Sequence, residues 1–184
     1  QDFINTESKS GFVVHAPELF KGSNLMDLAS PDRKYRDKSI EETQKVIEIT
    51  KELNKFFPNQ ETPLIVANIG GFSMDRPIDS KYKNDYYKRF SESLSQLSTE
   101  GVELIPQTMA PFPWHFGGQR YQNLFVLPKE IVEKCILMNL RICLDVSHSM
   151  LTCNHFKIDF YEFIEKVAPF SSHIHMGDAS GVNG

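Results

Sequence analysis

The chain has 184 residues, 40% of them apolar, with 20 Lys and Arg against 24 Asp and Glu for a formal charge of -4. That length fits one domain with a true core. The acidic balance, with a pI near 5.9, supplies no basic field to gather phosphate backbones and weighs against general nucleic-acid binding. No apolar run approaches the roughly 18 residues that span a bilayer, and the N-terminus lacks the charged and apolar regions of a signal peptide. Cys135, Cys143 and Cys153 form an odd set without CxxC pairing. They read as reduced packing thiols in a cytoplasmic protein. The chain begins at Gln1 rather than Met and stops at Gly184 in a loop-like stretch, so it is expected to be a fragment.

Residues 1–10 are polar and carry no strong pattern. Gly11 to His15 (GFVVH) is a β-branched strand ending in a histidine, and a loop runs from Ala16 to Asn24. Ser30, Pro31 and Asp32 form a turn. From Ser39 the spacing of Ile40, Val46, Ile47, Ile49, Leu53 and Phe56 predicts a helix, closed by Pro58 and Asn59. Pro63 to Asn68 (PLIVAN) is a second strand with a tight loop at Ile69, Gly70 and Gly71. Asp75 to Tyr87 is polar and aromatic and is expected to cover a rim, with a helix around Tyr86 to Leu97. Val102 to Gln107 (VELIPQ) is a third strand feeding a long loop, TMAPFPWHFGGQRYQN. A helix from Lys129 to Asn139 leads to Leu140 to His148 (LRICLDVSH), a fourth strand expected to open into a loop at Asp145. A helix over Asp159 to Val167 precedes a fifth strand, SSHIHMGD.

Blurred alternation in these strands is the mark of parallel strands buried on both faces, and the intervening helices supply right-handed crossovers. The fold class is therefore α/β, either an open doubly wound sheet or an arc of a β/α barrel. A complete barrel takes roughly 200 to 250 residues, so a barrel here would lack roughly three strands.

Parallel strands bring their carboxyl ends to one face, where α/β proteins bind ligands. Those ends read His15, Asn68, Gln107, Asp145 and His175, with His148 just past the fourth. Imidazole and carboxylate together suit a divalent ion such as Mn, Zn, Co or Fe(II). Any one of these histidines alone is more often a hydrogen-bonded structural residue; their coincidence at one rim reverses that. His173 and His175 share a face, and His175 is the favoured ligand because it lies nearer the strand end. Trp114 and Phe116 read as a stacking platform for a sugar or as a lid packed on the core. Arg120 reads as a contact for an anionic substrate or as solvated surface charge. Glu18, in HAPE, reads as a base or as a solvent-facing loop acid.

HAPEL after the first strand, LDVSH at the fourth and HIHMGD at the fifth resemble the xylose isomerase-like TIM-barrel superfamily. That superfamily includes sugar-phosphate isomerases and epimerases and the apurinic endonucleases. The pattern of Asp145 and His148 followed, after a helix, by His175 and Asp178 carries the resemblance. It implies a single incomplete barrel over residues 1–184, lacking the first and last strands, with about five parallel strands. It implies metal ligation by the residues matching Asp145 and His175, and substrate holding or a second metal at the one matching His148. The family places a metal-binding glutamate where Gln107 stands, and a further glutamate on its last strand. An amide cannot ionise, so Gln107 can be a neutral ligand and not a base. Asn68 stands where the endonucleases use a zinc-binding histidine, which argues against DNA repair.

The leading expectation is a metal-dependent sugar or sugar-phosphate isomerase or epimerase. Asp145, His175 and Gln107 would hold the ion. His148 and Glu18 would carry the catalytic roles, and His15, Asn68, Trp114, Phe116 and Arg120 would contact substrate. The partner is a small-molecule sugar or sugar phosphate, with self-association left open and neither nucleic acid nor membrane expected. The alternative is a barrel that has lost catalysis and binds a carbohydrate or a protein; a zinc phosphodiesterase acting on abasic DNA ranks third.

Overall fold

The computed structural model describes residues 11–22, 24–111 and 120–179. Five strands, β1 (Val13–His15), β2 (Leu64–Ala67), β3 (Glu103–Pro106), β4 (Ile142–Asp145) and β5 (Ser171–His175), run parallel in sequence order. β1 pairs with β2 and β2 with β3; a bridge between Gln107 and Cys143 joins β3 to β4, and β4 pairs with β5. The crossover helices are α1 (Arg33–Asn54), α2 (Lys83–Leu94), α3 (Pro128–Met138), and the pair α4 (Val146–Phe156) and α5 (Phe160–Val167). This is a partial β/α barrel, an arc that does not close among the described residues.

Alternation along the strands separates two apolar layers, as the period of 2 requires. Ile65, Ala67, Leu104, Ile142 and Leu144 pack with Ile47, Phe90, Ile131, Phe163 and Val167 of the helices. The intervening residues Val66, Ile105 and Cys143 form a separate inner cluster. The three cysteines are free and buried, and burial pushes each thiol up, to about 12 at Cys143. No helix among the described residues is long and apolar enough to cross a membrane.

Several boundaries differ from expectation. The first helix starts at Arg33, where Asp32 accepts the Tyr35 N–H as N-cap at 3.1 Å. Its buried face runs through Thr43 and Thr50, whose hydroxyls bond back to Ser39 and Val46 carbonyls at 2.7 Å. Ile49, Leu53 and Phe56, assigned to that face by hydropathy, are exposed. The predicted fourth strand stops at Asp145, and no loop follows: Val146 starts α4 directly, with Asp145 as its N-cap. The long loop after β3 contains Tyr121–Gln122, which pairs with Phe72–Ser73 beyond β2 as an antiparallel ribbon. A second ribbon joins Leu19–Phe20 to Asn24–Leu25.

The turn after β2 is clamped from beneath. Gly70 and Gly71 have φ of 85° and 77°, and a side chain on Gly70 would lie 2.4 Å from the Asp27 backbone. The buried Asp27 carboxylate accepts the N–H groups of Gly71 at 2.8 Å and Ala29 at 3.0 Å. Burial raises Asp27 to about 7, against the pull of those N–H groups and of Arg89 and Arg36. Unfolded, the group ionises near 3.8, so the folded state binds this proton more tightly. Its stabilising contribution is complete below pH about 4 and is lost as pH rises to about 7, on the order of 4 kcal/mol. Asp27→Asn keeps the acceptor oxygen without the titration. Urea midpoints of the Asp27→Asn variant relative to the parent should therefore rise between pH 4 and 7; a constant difference would refute the assignment.

Candidate active site at the strand ends

Asp145 sits where the buried run Ile142–Asp145 meets the first turn of α4. Its Oδ1 accepts the His148 N–H at 2.9 Å, one of the donors that a helix start leaves open, and also the Ser147 hydroxyl at 2.8 Å. Its own N–H donates to Thr108 Oγ1 at 2.9 Å. Oδ2 accepts the Gln107 amide Nε2 at 2.8 Å. It also lies 3.5 Å from His175 Nδ1 and 3.6 Å from His148 Nδ1. Four of the residues expected at the rim therefore meet at one carboxylate.

The imidazoles are oriented by carbonyls. His148 Nδ1 lies 2.9 Å from the Thr108 oxygen, which can only accept, and 3.3 Å from Gln107 Nε2, which can only donate; the shorter contact favours an Nδ1–H, with Nε2 the acceptor of the neutral ring. His15 Nδ1 likewise faces the Ala16 oxygen at 2.9 Å, and its Nε2 lies 3.1 Å from Gln107 Oε1. The His15 and His175 rings stack at 5.4 Å between centroids, across the mouth of the arc. His173 meets His175 edge-on at 5.3 Å, one step deeper. Burial pushes the Asp145 carboxyl up, but His148, its N–H, the Ser147 hydroxyl and His175 together override this and hold the group below its ordinary value. Burial lowers His175, opposed by Asp145 and reinforced by His15 and His173.

Glu18, Asn68 and Arg120 gather elsewhere, lining a cavity of about 10 Å³ with Met26, Phe72 and Gln122. That is room for about one water. Asn68 is partly committed to structure, because its Oδ1 accepts the Gly70 N–H at 3.1 Å. The Arg120 guanidinium lies 4.7 Å from the centre of the Phe72 ring. Trp114 and Phe116 fall outside the described residues.

Two participants are new to the set. Thr108 positions both Asp145 and His148, and Ser147 closes the second lone pair of Asp145 Oδ1. Ser147 was legible as part of an Asp N-cap pattern before a helical stretch. Thr108 was not, because it works through its position one residue beyond a strand end.

Among the described residues no group of three or more His, Cys, Asp or Glu side chains is arranged to hold a metal ion. The position between Asp145 and His15 belongs instead to Gln107. As oriented, Gln107 turns its Nε2, a donor, to Asp145. With the amide oxygen turned there instead, one carboxylate oxygen, one imidazole nitrogen and one amide oxygen would make a mixed set of single negative charge that suits a borderline divalent ion.

A model of the xylose isomerase-like TIM barrel family matches residues 5–184. No curated protein matches the sequence. Similar solved structures include D-psicose 3-epimerase with D-tagatose from Clostridium cellulolyticum H10, at 18% identity and a TM-score of 0.56 over 83% of this chain and 48% of that one. An L-ribulose 3-epimerase matches at 15% identity and a TM-score of 0.55, over 83% of this chain and 46% of that one. The chain thus spans about half the length of these structures, which share its fold. With nearly the whole chain matched, this protein belongs to the xylose isomerase-like TIM barrel family.

Proposed function

We propose that this chain supplies the ligand-binding rim of a metal-dependent sugar or sugar-phosphate isomerase or epimerase. The observation that carries the reading is the convergence of Gln107, His148 and His175 on Asp145 Oδ2 at the carboxyl ends of three strands. Asp145, His175 and Gln107 are the proposed holders of a divalent cation. When bound, such an ion polarises neighbouring carbonyl and hydroxyl oxygens and so acidifies the proton on the carbon between them.

The chain's own residues have distinct proposed parts. His148, with Nδ1–H fixed on Thr108, offers Nε2 as an acceptor for a sugar hydroxyl. His15 stands opposite it beyond Gln107. Glu18 is the proposed proton-transfer group, since Gln107 cannot ionise, with Asn68 and Arg120 as proposed contacts for substrate oxygens or a phosphate; the cavity these three line is of one-water size and is not itself the proposed sugar site. The family membership and the fold shared with two sugar 3-epimerases support this chemistry.

A second reading has its own support. The Gln107 hydrogen bond satisfies Asp145 with no ion present, as suits a barrel that binds a carbohydrate without turning it over.

Metal analysis of the full-length protein after loading with Mn or Zn should find about one ion per chain, lost in Asp145→Ala. No ion in either moves the conclusion to the second reading. Gln107→Glu should tighten the ion by at least about tenfold, because a second charge joins the set; an unchanged affinity removes Gln107 from the ligands. Incubating ketoses and their phosphates with the loaded protein in deuterated water should place deuterium next to the carbonyl, as read by NMR. Binding without any exchange would favour the second reading.

A further inference from the structure

The Gln107 amide sits between two partners with opposite requirements. One end lies 2.8 Å from Asp145 Oδ2, with His148 Nδ1 beside it at 3.3 Å, and the other end lies 3.1 Å from His15 Nε2. A half-turn of the amide exchanges its oxygen and nitrogen at those two places and moves little else. With nitrogen toward Asp145, the carboxylate receives a donor. The oxygen then faces His15 Nε2, and His15 Nδ1 is already the donor to the Ala16 carbonyl. A neutral imidazole has only one N–H, so its Nε2 is an acceptor facing an acceptor. With the amide turned, His15 Nε2 accepts an N–H, and Gln107 Oε1 comes against the Asp145 carboxylate. Each orientation therefore sets two acceptors face to face, Oε1 against His15 Nε2 as observed and Oε1 against Asp145 Oδ2 when turned, and only the turned one offers an oxygen to the His148 Nδ1–H.

A cation held at Asp145 would remove the conflict: Asp145 and Gln107 would both present oxygen to it, and the amide N–H would be left for His15. We propose that Gln107 is a swivel which a divalent cation turns, and that His15 sets cation affinity through that amide without touching the ion. This rests on Asp145, His175 and Gln107 being the cation site. His15 is thus a positioning residue: it favours the amide orientation that opens the site. His15 is an exposed residue outside both apolar layers, so replacing it leaves those layers intact.

The test uses the full-length protein labelled with ¹⁵N at glutamine side chains and histidine rings, at pH 8, above the ordinary imidazole range. Diamagnetic Zn is titrated alone, and Gln107 and His15 signals are assigned from Gln107→Glu and His15→Phe. Zn should shift the Gln107 NH₂ pair and move His15 Nε2 toward a hydrogen-bonded acceptor, with both shifts absent in Asp145→Ala. His15→Phe should weaken Zn by about three- to tenfold, the effect of one hydrogen bond. Asp145-dependent Zn binding with neither signal moved, and with His15→Phe binding as tightly as the parent, would overturn the swivel while leaving the cation site intact. Absence of Asp145-dependent Zn binding would overturn both.

Discussion

One carboxylate organises this end of the protein. Asp145 terminates a fully buried strand and starts a helix in the same residue, so its Oδ1 is spent on the His148 N–H and the Ser147 hydroxyl. That structural use fixes Oδ2 on the inner side of the arc, against Gln107, His148 and His175. The cap orients the side chain and the site uses the remaining oxygen. His148 belongs to the same device: its backbone is held by Asp145 and its ring by the Thr108 carbonyl, so tautomer and position are set together.

The partial barrel can carry such a site because its two apolar layers are unequal. The sheet-to-helix layer is extensive, running from Ile47 and Phe90 to Phe163 and Val167. The inner layer is the small cluster of Val66, Ile105 and Cys143. Stability therefore comes mainly from strands packing on helices, while the inner face above those three residues is free to be polar. The rim loops are braced from the outer side in turn, by Asp27 beneath the Gly70 and Gly71 turn.

Much of this was legible in residue order. Five strand ends carrying donors, separated by helical spacing, point to one rim on a parallel sheet. Asp145, Gln107, His148, His175 and His15 do meet there. Helix faces were less legible, because hydropathy cannot see that Thr43 and Thr50 are buried once their hydroxyls bond to the preceding turn. The helix after Asp145 was hidden by its own cap: DVSH scans as the end of an apolar strand, although an Asp before a helical stretch is also a start signal. The separation of Glu18, Asn68 and Arg120 into their own cavity depends on two short ribbons and a clamped turn. Such tertiary details leave no periodic trace.

Gln107 changes the physics of the site more than its geometry. Two carboxylates at 2.8 Å would repel strongly in a partly buried setting and would require a cation or a shared proton between them. Replacing one by an amide removes that requirement, since an N–H can take the place of the positive charge. On the proposed reading the ion would then be a ligand competing with an internal hydrogen bond, where two carboxylates would have made it a structural necessity. An amide also places no titratable group at this position of the inner rim, so the proposed proton transfer would have to come from a residue outside the Asp145 cluster.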